Sequence, residues 1–232
     1  MGYACLHSHV LPAVDDGAPD EATSTSMIRA LHAAGYDLVC ATPHQKAAQY
    51  LPSAGDIDAA YDRLRAQAPF DLRLGAENFW DDVFFARWRE GTIPRYRPTR
   101  AFLFEIPVDD VPVRFEETLF QMELQGLLPV MAHPERYAIP FDRLATLAER
   151  IPLVVDLGAV AGYHGARAGK IAHKLLTDRV AHAAATDAHT VSDVRAALEG
   201  IAWIKKKLGA DVAARLLDEN PRRILAGDLP DR

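Results

Sequence analysis

Strand-like and helix-like segments alternate along the whole chain. Seven short apolar segments are typical of β-strands that are buried on both faces of a sheet. They are Ala4–Val10, Asp37–Thr42, Asp71–Ala76, Arg100–Glu105, Leu127–Ala132, Leu153–Leu157 and Ala181–Thr186. Because helical segments separate them, the pattern predicts an α/β fold with a parallel sheet.

The segments between the strands carry apolar residues at helical spacing. The predicted helices cover Asp20–Ala34, Ile57–Ala68, Val113–Gln125, Asp142–Arg150, Gly169–Thr177, Asp193–Leu208, Asp211–Leu217 and a short segment after Pro221. No repeat, low-complexity tract or linker divides the 232 residues. We therefore expect a single domain, residues 1–232, with one sizeable core.

Residues that can bind metal ions stand at the ends of the predicted strands. There are nine of them: His7, His9, Asp16, His44, Glu77, Glu105, His133, Asp187 and His189. In a β/α barrel, functional groups gather at the C-terminal ends of many strands. An open sheet would concentrate its site at one point and usually begin with a G-x-G-x-x-G turn, which the sequence lacks. The distribution therefore favours a distorted, TIM-like (β/α)7 barrel.

Each of these residues also has an ordinary structural explanation. His7 and His9 could be satisfied by hydrogen bonds in the core, Asp16 could belong to a turn, and Glu105 could pair with an arginine. The whole set at strand ends instead favours divalent metals, because borderline metals accept mixed imidazole and carboxylate ligands. Two ions about 3.5–4 Å apart can hold an attacking hydroxide and a phosphoryl oxygen.

Other functional classes lack their signatures. Neither Cys5 nor Cys40 begins a C-x5-R loop, and no P-loop or G-x-S-x-G motif is present. A net charge of −6 and a single basic run, Lys205–Lys207, argue against nucleic acid as a partner. No apolar stretch approaches the roughly 18 residues of a membrane span. The two cysteines do not indicate a disulfide scaffold, so we expect a cytoplasmic protein without direct membrane insertion.

The order H-x-H, D-D-G, T-P-H, E, E, H-P-E-R and T-D-A-H resembles the polymerase-and-histidinol-phosphatase (PHP) superfamily of metal-dependent phosphoesterases. Within it, the segments Leu11–Gly17, Ala41–His44 and Ala132–Tyr137 are most similar to the bacterial capsule and exopolysaccharide protein-tyrosine phosphatases. The likeness runs from His7 to the Glu219–Pro221 segment. One departure is Cys5, which stands where the family usually has the acid of D-x-H-x-H.

The resemblance implies three divalent ions, of manganese, zinc, iron or cobalt. The first would be bound by His7, His9, Glu77 and Asp187; the second by Glu77, Glu105 and His133; and the third by Asp16, His44 and His189. Arg136 would hold the substrate phosphate, and Arg195 is an approximate counterpart of a family arginine. Phe79, Trp80 and Tyr137 could pack against a phosphotyrosine ring; equally, Phe79 and Trp80 could begin the core face of the next helix.

The resemblance also implies an activity, which is hydrolysis of phosphotyrosine by a metal-bound hydroxide. The expected substrate is a tyrosine-phosphorylated protein, in particular a bacterial tyrosine kinase of polysaccharide synthesis or export. Two alternatives stay open from the sequence. One is a small-molecule phosphatase of the same superfamily, acting for instance on histidinol phosphate. The other is a weakly catalytic regulatory protein that keeps the barrel.

Overall fold

Nine short strands form two parallel sheets in the computed structural model, which describes residues 2–232. Strands β1, β2 and β4 form the smaller sheet, and the larger has the order β3-β5-β6-β7-β8-β9. The strands are β1 (Tyr3–Cys5), β2 (Tyr36–Ala41), β3 (His44–Gln45), β4 (Asp71–Leu74), β5 (Glu77–Phe79), β6 (Ala101–Glu105), β7 (Leu128–Ala132), β8 (Leu153–Asp156) and β9 (Ala183–Ala185). The prediction of a parallel α/β fold is confirmed.

Two of the predicted strands are interrupted near their ends. Thr42-Pro43 separates β2 from β3, and Gly75-Ala76 separates β4 from β5. A Cβ at Gly75 would lie 2.8 Å from the ring of Tyr96, so the glycine allows Tyr96 to pack there. The Tyr96 hydroxyl in turn donates a hydrogen bond to the carbonyl of Leu6 (2.9 Å). These interruptions pass the chain from the small sheet to the large one.

Backbone hydrogen bonds connect the two sheets beyond the named strands. The amide of Asp187 donates to the carbonyl of His7 (3.0 Å), and the amide of His9 donates to the carbonyl of Ala188 (2.9 Å). Ser8 and Ala188 form a parallel bridge. The segments that follow the first and the last strand therefore lie side by side.

Ten α-helices connect and cover the strands of the described residues. They are α1 (Glu21–Ala33), α2 (Ala54–Arg65), α3 (Asp82–Glu90), α4 (Phe115–Leu124), α5 (Phe141–Leu147), α6 (Leu157–Val160), α7 (Gly165–Thr177), α8 (Val191–Leu208), α9 (Ala210–Ala214) and α10 (Asn220–Leu225). Helices α3 and α6 were not predicted. The side chain of Asp81 caps the start of α3, and Gly91 ends it with a left-handed conformation (φ 70°). No helix within residues 2–232 combines the length and apolarity that crossing a bilayer requires.

One hydrophobic core joins the strands to the helices. Strand β6 explains why the strands are continuous apolar segments in the sequence. Its residues Ala101 to Phe104 are fully buried, and only the terminal Glu105 is partly exposed. The only charged side chain of β6 therefore stands at the end of the strand. Charged residues placed there must find partners at that edge, because a buried unpaired charge is costly.

His182, just before β9, is a buried group that ties stability to pH. Its Nδ1 accepts a hydrogen bond from the amide of Leu153 (3.2 Å), and the side chain is 1% exposed. Burial, with a contribution from Arg232, lowers the pKa of His182 to about 4. The folded state therefore binds this proton less readily than the unfolded chain, whose histidine titrates near 6.5. The contribution of neutral His182 to the free energy of unfolding is complete above about pH 6.5 and is lost as the pH falls toward 4.

We expect His182→Asn, which keeps an acceptor for the amide of Leu153, to remove this part of the pH dependence. Urea unfolding of both proteins at pH 7.5 and 4.5 would measure it. Between pH 7.5 and pH 4.5, the free energy of unfolding of the wild type should fall by on the order of 3 kcal/mol more than that of the variant. His32→Asn, at an exposed histidine of α1, serves as the control. Parallel pH curves for wild type and His182→Asn would show that His182 does not titrate in this way.

Candidate metal centre

The structure brings all nine predicted ligands to the same end of the strands. His7 and His9 follow β1, His44 and Glu77 begin β3 and β5, and Glu105 ends β6. The remaining four come from the segments after β1, β7 and β9, namely Asp16, His133, Asp187 and His189. Parallel strands place their C-terminal ends at one edge, which is why residues distant in sequence meet here.

Glu77 lies at the centre of this cluster and is completely buried. Its Oε1 is 2.8 Å from Nε2 of His133 and 3.2 Å from Nε2 of His7. Its Oε2 is 3.0 Å from Nδ1 of His44 and 3.4 Å from Nε2 of His9. Both carboxylate oxygens therefore face histidines from different strands. This is the arrangement expected of a carboxylate shared by two ions.

Four groups of three or four ligand atoms lie within 4.8 Å of one another. They are His7, His9 and Asp187; His9, Asp16, His44 and His189; His7, Glu77 and His133; and His44, Glu77 and Glu105. The group of His7, His9 and Asp187 contains three of the four residues predicted for the first ion. The group of His9, Asp16, His44 and His189 contains all three residues predicted for the third ion. The second predicted set is not one group, because Glu105 lies beside His44 (3.3 Å) whereas His133 lies beside His7 and Glu77.

The outer nitrogens of three histidines are held by neighbouring polar groups. Nδ1 of His9 contacts Asp15 (2.7 Å), Nδ1 of His7 contacts the hydroxyl of Thr42 (2.7 Å), and Nδ1 of His133 contacts the hydroxyl of Tyr137 (3.1 Å). Each contact turns Nε2 into the cluster. Metal-binding histidines are commonly oriented in this way. Asp15 was not among the predicted site residues, although it is part of the D-D-G motif.

Six buried atoms of the cluster each lie within 3.4 Å of another of the six but make no hydrogen bond of normal geometry among residues 2–232. They are His7 Nε2, His9 Nε2, His44 Nδ1, Glu77 Oε2, Glu105 Oε1 and Asp187 Oδ1. Buried polar atoms normally have a partner, since leaving one unpaired is costly. These six atoms face one another and all belong to residue types that bind metals. The residues present therefore fit a group of divalent cations.

The electrostatics of the cluster favour positive charge. Burial opposes protonation of His7, but the carboxylates of Glu77 and Asp187 raise its pKa to about 9. For His44, the carboxylates of Glu105 and Glu77 likewise outweigh burial and raise the pKa to about 10. A bound cation would satisfy the same carboxylates in place of these protons.

A cavity of about 330 Å³ opens beside the cluster and is lined by Arg136, Asp187 and His189, among others. Arg136 forms ion pairs with Asp156 and with Asp187 (Nη2 to Oδ2, 2.6 Å). Its guanidinium is thus fixed next to the ligand residues, as the H-P-E-R motif suggested. Arg195 is exposed on α8 and does not line this cavity.

The predicted aromatic contacts to substrate are wrong for two residues. Trp80 is 7% exposed and packs among phenylalanines of the core, and Tyr137 is 1% exposed with its hydroxyl on His133. Phe79 is half-buried beneath the ammonium group of Lys46. Two other aromatic residues lie closer to the site: the ring of Tyr50 stacks on His44 at a centroid distance of 5.7 Å, and the exposed Tyr163 lines the cavity.

Cys5, which replaces the usual acid of the family, is fully buried behind the ligands. Its Sγ donates a hydrogen bond to the carbonyl of His7 (3.1 Å) and contacts the hydroxyl of Thr186 (3.3 Å). Burial raises the pKa of the Cys5 thiol. The side chain therefore supports the backbone of His7 and does not present a thiolate to the cavity.

A parallel α/β fold with a His/carboxylate cluster at its strand ends is characteristic of metal-dependent hydrolases. The chain belongs to the family described as capsular polysaccharide synthesis, CpsB/CapC, whose model matches residues 3–226.

Similar proteins include the tyrosine-protein phosphatase YwqE of Bacillus subtilis, with 27% identity over 230 residues that cover 95% of this chain and 90% of the relative. The tyrosine-protein phosphatase CpsB of Streptococcus pneumoniae is 25% identical over 244 residues, 97% and 98% of the two chains. A crystal structure from work on YwqE and CpsB, described as unique metal-dependent tyrosine phosphatases, superposes with a TM-score of 0.87 and 27% identity, covering 97% of this chain and 95% of the other.

Proposed function

We propose that this protein is a metal-dependent protein-tyrosine phosphatase. The observation that carries the proposal is the buried cluster of unpartnered ligand atoms beside the guanidinium of Arg136. A phosphomonoesterase needs both features, since the phosphoryl group must be held and its charge neutralised. The relatives named tyrosine-protein phosphatases support phosphotyrosine as the substrate.

The nine residues at the strand ends would bind up to three divalent ions, of manganese, zinc, iron or cobalt. Glu77 would be shared between ions, because each of its oxygens faces histidines of different groups. Asp16 and His189, the most exposed members, would complete a site with His44 and His9. Bound ions would supply Lewis-acid activation of water and neutralise charge on the phosphoryl oxygens.

Arg136 would bind the phosphate of the substrate. Its ion pairs with Asp156 and Asp187 fix the plane of the guanidinium, and both pairs use Nη2 and leave Nη1 outside them. A guanidinium held in one orientation can offer its free donors to two phosphate oxygens. We propose that Arg195 binds the part of the substrate peptide that lies outside the cavity, because its neighbours on α8, Asp193 and Ala196, line the cavity wall.

We also infer that the strands close into a distorted (β/α)7 barrel that forms one phosphoesterase domain. Each interrupted pair, β2 with β3 and β4 with β5, would count as one strand of the barrel. The hydrogen bonds that join His7 and His9 to Asp187 and Ala188 support closure between the first and last strands.

The protein partner would be a tyrosine-phosphorylated protein in the cytoplasm, and we propose a bacterial tyrosine kinase of polysaccharide synthesis or export. The family's description in terms of capsular polysaccharide synthesis supports this choice. The cavity beside Arg136 opens to the surface and includes the exposed Tyr163. An open cavity suits a tyrosine on a flexible peptide better than a compact metabolite.

A substrate panel on metal-replete protein tests this function against its alternatives. We expect kcat/KM for a phosphotyrosine peptide to exceed that for a phosphoserine peptide or histidinol phosphate by at least about 100-fold. A preference for histidinol phosphate would instead assign the protein to the small-molecule phosphatases. Absence of turnover on every phosphoester would favour a regulatory protein that has kept the fold.

A further inference from the structure

The wall of the Arg136 cavity carries a histidine–aspartate pair that the proposed metal centre does not use. Nε2 of His164 lies 2.7 Å from Oδ2 of Asp156, and both residues line the cavity together with Arg136 and Asp187. We propose that His164 is the general acid that protonates the leaving tyrosyl oxygen. This role rests on the proposed phosphatase function and adds a residue to it.

Asp156 is held in a fixed position at the end of β8. It is 2% exposed, and its Oδ1 accepts a hydrogen bond from the amide of Gly158 (2.6 Å) at the start of α6. Its Oδ2 contacts both His164 and Arg136. The carboxylate therefore anchors one edge of the imidazole beside the residue that binds phosphate.

The other edge of His164 is free. The side chain is 41% exposed, and within residues 2–232 the recorded hydrogen bonds and ion pairs of its ring all involve Nε2. A protonated imidazole can thus donate from Nε2 to Asp156 and present a second N–H at Nδ1. Nη2 of Arg136 lies 3.3 Å from the same Nε2, so both neighbours of the ring sit on its Nε2 edge.

His164 is also the group that remains when the other titratable residues of the cavity are considered. Asp187 and His189 belong to the proposed metal centre, and Arg136 does not release its proton near neutral pH. The hydroxyl of Tyr163 donates its proton to a hydrogen bond with Glu199 (3.1 Å), outside the cavity lining. Asp193 is engaged at the start of α8, where its Oδ2 accepts hydrogen bonds from the amides of His189 (3.0 Å) and Thr190 (2.7 Å). Asp156 itself is buried behind His164 and Arg136.

The chemistry of the step requires such a donor. A water oxygen forms a bond to phosphorus while the bond from phosphorus to the tyrosyl oxygen breaks. The leaving oxygen takes the proton of His164 Nδ1, and the proton lost by the attacking water returns the histidine to its acid form through solvent. The products are tyrosine and inorganic phosphate, with no net change in protons. Protonation matters because the tyrosine hydroxyl has a pKa of about 10 and leaves poorly as an anion.

Two aryl phosphates with different leaving groups separate this role from phosphate binding or structural support. Phenol is about as weak an acid as tyrosine, whereas p-nitrophenol is much stronger and leaves without help. We expect His164→Gln to lower kcat/KM for phenyl phosphate by about 100-fold and for p-nitrophenyl phosphate by less than about 5-fold. Loss of phosphate binding would reduce both rates equally.

Two further variants complete the experiment. A Cβ at Gly158 would lie 3.1 Å from both Nε2 of His164 and Oδ1 of Asp156. Gly158→Ala therefore shifts this pair without removing either side chain, and it should show the same selective loss in a weaker form. His32→Gln, at an exposed histidine of α1, should leave both rates unchanged. Thermal unfolding would check that each variant is folded.

Equal losses on the two esters, or no loss on phenyl phosphate, would overturn the role of His164. If His164→Gln does not fold, the Gly158→Ala result decides by the same criterion. A folded, metal-loaded wild type that hydrolyses neither ester would overturn the proposed phosphatase function itself.

Discussion

Replacing Glu77 by glutamine is expected to remove more than one equivalent of bound metal and to lower turnover at least about 1,000-fold, which corresponds to about 4 kcal/mol of transition-state stabilisation. The reason is geometric. Its two oxygens contact His7, His9, His44 and His133, which belong to different ligand groups. A neutral amide offers a single weakly basic oxygen, so it cannot bridge two ions as a carboxylate does.

A matched control is Glu135→Gln, at a second fully buried glutamate two residues after His133. Burial and the neighbouring Asp156 raise the pKa of Glu135 to about 8, so the residue is largely protonated at neutral pH and glutamine resembles it. Metal content measured by elemental analysis should fall in Glu77→Gln and stay near the wild-type value in Glu135→Gln. An unchanged metal content in Glu77→Gln would show that Glu77 is not shared between ions.

Strand positions and the polar residues at the strand ends could be predicted because both depend on local sequence. A strand buried on both faces leaves an apolar run, as in Ala101–Phe104, and the first polar residue after it, Glu105, stands at the strand end. Parallel connections then bring these ends to one edge without further information. The nine candidate residues therefore converge although they lie on separate segments.

The grouping of the ligands could not be predicted, because it depends on the direction of each side chain in three dimensions. The chain bends at Thr42-Pro43 and at Gly75-Ala76, and these bends turn His44 toward Glu105. Nothing in the sequence fixes the angle of either bend. His133 consequently contacts Glu77 and His7 and is not grouped with Glu105.

Some site residues were missed although the sequence carried a signal for them. Asp156 interrupts the apolar run Leu153–Leu157, and an acid inside such a run needs a partner. That partner, Arg136, lies 20 residues earlier, and His164 follows eight residues later beyond a short helix. Their contact is a product of tertiary packing. Trp80 packs into the core and does not face the site, and its position near a strand end is compatible with either placement.

Removal of bound metal is expected to abolish phosphotyrosine hydrolysis. Without cations the cluster places the carboxylates of Glu77, Glu105 and Asp187 next to imidazoles with several buried atoms unpaired. Arg136 would still hold phosphate, but the Lewis acid that activates water would be missing. Protein dialysed against a chelator, and then freed of it, should lose turnover by at least about 1,000-fold.

The most direct measurement is phosphotyrosine-peptide turnover by this stripped protein as Mn²⁺, Co²⁺ or Zn²⁺ is added back, with bound metal determined in the same samples. If the cluster is the catalytic metal centre, we expect negligible turnover without metal. Turnover should then rise with bound metal and reach a plateau above one equivalent of metal per protein. Full turnover in protein shown by elemental analysis to contain no metal would contradict it.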